Sequence, residues 1–88
     1  MLIYKKAATN PSCILSDDQR RAINEARTIK IEYFNRDYIT RYKCRDYMQE
    51  PVTTNNFWVS GSLIYIRSGR FDVLTVGFDQ ITELHVID

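Results

Sequence analysis

Arg41, Lys43 and Arg45 fall at alternate positions in a run that reads as a β-strand, a spacing that predicts all three on one face of it. Cations in such a row can track a phosphate backbone, and a ring beside them gives bases a surface to stack on. Tyr47 or Trp58 would complete a single-strand-binding face of that kind. Arg67 and Arg70 would extend it if the fold closes them onto the same surface. The competing reading is a solvated outer face, because Asp37, Asp46 and Glu50 lie close by and offset part of the charge. Tyrosine offers a different chemistry: Tyr33, Tyr38, Tyr42, Tyr47 and Tyr65 are numerous enough for an interaction surface, each joining a large contact area to a polar tip, although most suit core or half-buried sheet positions. Phe34 follows Tyr33 directly and is out of phase with Ile29, Ile31 and Tyr33, so it is expected on the exposed side. Phe34, Tyr47 and Trp58 together make a candidate partner-binding set.

Catalytic chemistry needs an oriented acid, base or nucleophile, and no such set stands out. His85 alternates with Leu84 and Val86 near the end of the chain, which suits a satisfied or solvent-facing strand position. Asp79 fits an Asx-type turn ahead of Ile81, and that role removes it from a carboxylate pair with Asp72. Cys13 and Cys44 lack C-x-x-C spacing and have one histidine to join them, so no metal site is expected, and Cys44 is expected as a small buried hydrophobe. The reading is of a protein that is not an enzyme and carries no cofactor.

Little chain is available to hold these side chains in place. At 88 residues a domain buries only about 60 to 65% of the surface its unfolded form exposes, so one core is expected. With Lys and Arg at 12 and Asp and Glu at 11, the net charge of +1 gives no global attraction to nucleic acid. The apolar run from Met1 to Tyr4 is too short for a signal-peptide core or a membrane span. The chain is therefore expected in a reducing cytoplasm, with free thiols and no membrane partner.

Residues 1 to 15 show no period, and Asn10-Pro11-Ser12 is a turn signal, so this stretch is either an edge strand or a mobile lead-in; the favoured reading is a loosely held N-terminal arm, with residues 16 to 88 as the helix and barrel domain. Ser16-Asp17-Asp18-Gln19 is a capping-box pattern that starts a helix at Asp17, and the stripe Ala22, Ile23 and Ala26 carries it to near Arg27. A strand from Thr28 to Phe34 follows, then a reversal at Asn35-Arg36-Asp37 and a return strand from Tyr38 to Tyr47. After a polar loop around Pro51 come strands at Phe57 to Val59, Leu63 to Arg67 and Phe71 to Val76. A tight turn at Phe78 to Ile81 precedes a last strand from Leu84 to Ile87. The expected fold is mainly β: a small SH3/Sm-like β-barrel of five to six antiparallel strands preceded by one short α-helix.

Leu15 to Gln19, Ile23 to Ala26, and the run Ile29-Lys30-Ile31-Glu32-Tyr33-Phe34-Asn35-Arg36-Asp37-Tyr38-Ile39 resemble the YolD-like family of Gram-positive bacteria and their phages. Phe78-Asp79-Gln80-Ile81 matches that family's closing turn. Phe57-Trp58-Val59, Arg41 and residues 78 to 84 are also similar to WYL domains, SH3/Sm-like barrels of bacterial regulators. The first resemblance implies a small regulatory protein of a Gram-positive bacterium or its phage that binds a partner protein of replication, repair or defence. The second implies a nucleic-acid or nucleotide-binding module that uses the basic strand face. A symmetric homodimer is expected through an open edge, either Phe71 to Val76 or Leu84 to Ile87.

Overall fold

The computed structural model describes residues 1–6 and 15–87, so Cys13 and the turn expected around Pro11 lie outside the described residues. The elements are β1 (Leu2–Lys5), α1 (Asp17–Glu25), β2 (Ile29–Thr40), β3 (Lys43–Met48), β4 (Val52–Thr54), β5 (Phe57–Ser60), β6 (Leu63–Arg67), β7 (Val73–Gly77), a 3-10 turn (Phe78–Gln80) and β8 (Ile81–Val86). The fold of the described residues is mainly β, with antiparallel sheets and one α-helix.

Helix α1 starts where the capping box predicts. Ser16 Oγ accepts from the Gln19 N–H at 3.2 Å, and Gln19 Oε1 accepts from the Ser16 N–H at 2.8 Å. Asp17 and Asp18 stand at the positive end of the helix dipole. The helix stops at Glu25, earlier than the expected Arg27, because Ala26 is already extended. Nine residues are too few to hold a helix in water unaided. Its hold on the sheet is the fully buried Ile23, together with Gln19 Nε2, which donates to the Ile3 carbonyl at 2.8 Å.

Strand β2 is the organising element. Its first half pairs with β8 on one side and β4 on the other, and its second half pairs with β3. The reversal expected at Asn35-Arg36-Asp37 does not occur there. Those residues pair with Tyr47, Asp46 and Arg45, which sets Arg36 opposite Asp46 and Asp37 opposite Arg45. Opposite charges facing across a ladder support the pairing, so the strand runs on. The chain turns at Arg41-Tyr42 instead, where Thr40 Oγ1 accepts from the Tyr42 N–H at 3.3 Å. Beyond β3, Pro51 interrupts the return path, but the Gln49 N–H donates to the Tyr33 carbonyl at 3.0 Å and β4 resumes pairing along β2.

Two sheets result, one in the order β1-β8-β2-β3 with β4 also on β2, the other in the order β5-β6-β7. The chain passes from the first to the second at Asn55-Asn56, where the Asn56 carbonyl accepts from the Arg67 N–H at 3.0 Å. It returns through the 3-10 turn. Among the described residues eight strands form where five to six were expected, the additional ones being β1, in the expected arm, and β4, in the stretch expected as a polar loop around Pro51. Alternate residues point inward, and Ile29, Ile31, Tyr33, Ile64, Ile66, Val76, Phe78, Ile81 and Leu84 form one core with Leu15 and Ile23.

Two further expectations are corrected. Residues 2 to 5 are not a loose arm but strand β1, antiparallel to β8, with the Val86 N–H bonded to the Met1 carbonyl and the Lys6 N–H to the Thr82 carbonyl. With β1 on one side and β2 on the other, β8 has no open edge, so the homodimer expected through Leu84 to Ile87 has no free ladder to use.

Candidate functional site

The second half of β2 and all of β3 form a two-stranded arm that leaves the core, with every residue from Asn35 to Met48 exposed. The register assigns the faces. Arg36, Tyr38, Cys44, Asp46 and Met48 lie on one face, and Asn35, Asp37, Arg45 and Tyr47 on the other. Lys43 joins the second face through strand alternation, and a bulge between Tyr38 and Thr40 adds Ile39 beside it. Arg41 and Tyr42 occupy the tip, the guanidinium 6.0 Å from the ring centroid. The expected row of three cations is therefore two, Lys43 and Arg45, with Arg41 displaced into the turn. Cys44 is exposed rather than buried, because its whole element lies outside the core.

Charge on the arm is partly neutralised. Arg36 grips Asp46 with two hydrogen bonds, Nε to Oδ1 at 2.7 Å and Nη2 to Oδ2 at 3.3 Å. That guanidinium holds the Asp46 carboxyl below its ordinary range, and the carboxylate raises Arg36 in return. Arg45 stacks on Tyr47 at 5.9 Å and its Nη1 lies 3.4 Å from the Tyr47 hydroxyl.

Phe34 sits at the root of the arm. Expected to be exposed, it is 5% exposed, because a register shift between Glu32 and Tyr33 lets two consecutive side chains turn inward. Lys6 Nζ lies 4.8 Å from its ring centroid and the Arg36 guanidinium carbon 5.4 Å. Phe34, Arg36 and Tyr38 line a cavity of about 260 Å³ together with Asp79 and Gln80 of the 3-10 turn. Gln80 anchors the root: its Oε1 accepts from the Gly77 N–H at 2.8 Å, and its Nε2 donates to the Phe34 carbonyl at 3.1 Å and approaches Asn35 Oδ1 at 3.4 Å. Sequence reasoning placed Gln80 in a turn and missed this role; its position three residues after Gly77, the spacing of a capping box, was the available signal.

The other expected site residues lie elsewhere. Trp58 of β5 stacks on Tyr65 of β6, rings 5.1 Å apart and 6° from parallel, on the outward face of the three-stranded sheet. Trp58 is 42% exposed, and Arg67 follows Tyr65 on that face. Arg70 stands in the β6–β7 connection, 5.8 Å from the ring of Phe71. Lys43, Arg45 and Tyr47 are thus brought together on the arm, Trp58 and Arg67 on the second sheet, and Arg70 on a loop.

A third cluster lies on the outward face of the first sheet. His85 Nε2 is 3.2 Å from Glu83 Oε1, and Glu83 is directly opposite Glu32. A hydrogen bond between the two carboxyls pushes Glu32 above its ordinary range and Glu83 below it. Among the described residues, no three or more His, Cys, Asp or Glu side chains are placed to hold a metal ion, and no helix is long and apolar enough to cross a membrane. No family model, curated protein or solved structure matches the chain.

Proposed function

We propose that this chain is a small SH3-like β-barrel module that regulates a partner protein by binding it through the projecting arm. The observation that carries the reading is the composition of that arm: Tyr38, Ile39, Tyr42, Tyr47 and Met48 are all exposed on an element that contributes nothing to the core beyond its root. A two-stranded ribbon is marginal in water, and large apolar side chains on it gain nothing from staying solvated. Tyrosine, methionine and arginine are the residue types enriched where proteins meet. The barrel reading rests on the two passages between sheets, at Asn55-Asn56 and through the 3-10 turn, which bring β8 back beside β2. It agrees with the resemblance to YolD-like regulators of Gram-positive bacteria and phages, and a cytoplasmic location goes with that reading.

A photo-crosslinking residue introduced at Tyr42 should yield one discrete protein adduct in the native cell, while the same residue at Ser60, on the second sheet, should not. Equal labelling at both positions rejects the arm as the docking element. A second reading, nucleic-acid binding, is favoured by the shared face of Lys43, Arg45 and Tyr47. It requires affinity for single-stranded DNA or RNA that falls steeply with salt, and no shift at about 50 mM salt removes it.

A further inference from the structure

We infer that the outer edge of β7 pairs with the same edge of a second copy, in an antiparallel register centred on Leu74. Among the described residues, strand β7 is bonded to β6 alone. The Ser68 N–H donates to the Asp72 carbonyl and the Phe78 N–H to the Ser62 carbonyl, so the even-numbered residues of this strand point their backbone groups at β6. By alternation, the N–H and C=O groups of Val73 and Thr75 point away from it. The Gly77 N–H is engaged by Gln80 Oε1, which ends the available ladder.

Those outward groups are self-complementary. A two-fold axis at Leu74 sets Val73 opposite Thr75 of the second copy and Thr75 opposite its Val73, and each pair exchanges two hydrogen bonds. Val73, 45% exposed, gains a β-branched neighbour in Thr75.

The remaining edges explain the choice. Strand β3 carries Lys43 and Arg45, charges that oppose pairing with a like edge; β1 is tied to α1 through Gln19; and β5 packs against α1. From Val73 to Gly77, β7 has no charge and no proline. Head-to-tail addition of β7 to β8 of another copy is blocked, since β8 is bonded on both sides, which leaves the closed two-fold arrangement. Four ladder bonds make a small interface, so association depends on concentration.

Sedimentation equilibrium of the full chain, from low micromolar to near-millimolar concentration, tests this. The wild type should rise from 10.4 kDa toward twice that mass. Val73→Lys and Thr75→Pro should stay at the monomer mass with unchanged far-UV circular dichroism. Thr75→Pro removes an N–H that faces away from β6; if it unfolds the chain, Val73→Lys decides alone. A wild type that remains monomeric throughout overturns the inference, as does a dimer that Val73→Lys leaves intact.

Discussion

Gln80→Ala should destabilise the protein by about 2 to 4 kcal/mol, because this one amide serves both the turn into β8 and the root of the arm. Its two closest bonds, 2.8 Å from the Gly77 N–H and 3.1 Å to the Phe34 carbonyl, join partly buried groups. Each such bond contributes about 1 kcal/mol net, and leaving the Gly77 N–H unsatisfied in a buried setting adds about 1 to 2 kcal/mol more. Domains of this kind have about 5 to 15 kcal/mol in total, so the loss should be plain in a urea titration as a lower midpoint at constant slope. Gln80→Glu separates the two roles. It keeps the acceptor for Gly77 but turns an acceptor toward the Phe34 carbonyl, so its deficit at neutral pH should shrink in acid, where the introduced carboxyl can donate. A midpoint change for Gln80→Ala worth less than about 0.5 kcal/mol, or a Gln80→Glu deficit that ignores pH, refutes the anchoring argument.

Gly77→Ala should cost under about 1 kcal/mol, since a Cβ there would stand 2.5 Å from Asp79 Oδ1, the end of an exposed side chain that can swing aside, and 3.2 Å from Gln80 Oε1, which must give by a few tenths of an ångström. In a double-mutant cycle with Gln80→Ala by urea denaturation that cost should shrink, because the Gln80 amide is the neighbour that has to give. Glu32→Gln should raise the melting temperature at neutral pH. The Glu32 carboxyl binds its proton more tightly in the folded state, so stability is lost as pH rises through that raised value; the advantage of the variant should close as pH falls below it. Calorimetry showing the same gap at neutral and acid pH contradicts this. Ser16→Ala should cost about 0.5 to 2 kcal/mol through loss of the cap, and an unchanged denaturation midpoint would mean that Gln19 alone holds the helix start.

The parts of this fold that were legible in the sequence are those whose signal is local or tied to burial. The Ser16 to Gln19 box marks a helix start because cap and partner lie three residues apart. Ile64 and Ile66, alternating with Tyr65, mark β6 because one face meets the core. The turn at Phe78 to Gln80 was read for the same local reason, yet the reach of Gln80 to Phe34 was not, since nothing within a turn reports a partner 46 positions away. Strand β1 was weighed as an edge strand and passed over for a loose arm, because four residues without a period acquire strand character only through β8.

The arm was misread for a deeper reason, and that reason bears on function. Period-2 alternation signals a strand only when one face is buried, and from Asn35 to Met48 neither face is. Asn, Arg and Asp at its start therefore look like a turn, although their register partners Tyr47, Asp46 and Arg45 make them a ladder. Phe34 was misplaced at the same boundary, where the register shift ends the core-facing half of β2 and starts the exposed half. Cross-strand ion pairing and the Gln80 anchor favour the paired geometry of this half without burial. The more of that geometry the free protein populates, the smaller the ordering cost for a partner that docks on the arm. If β7 joins two copies, two such arms belong to one particle, and a partner with repeated sites gains avidity without any new contact.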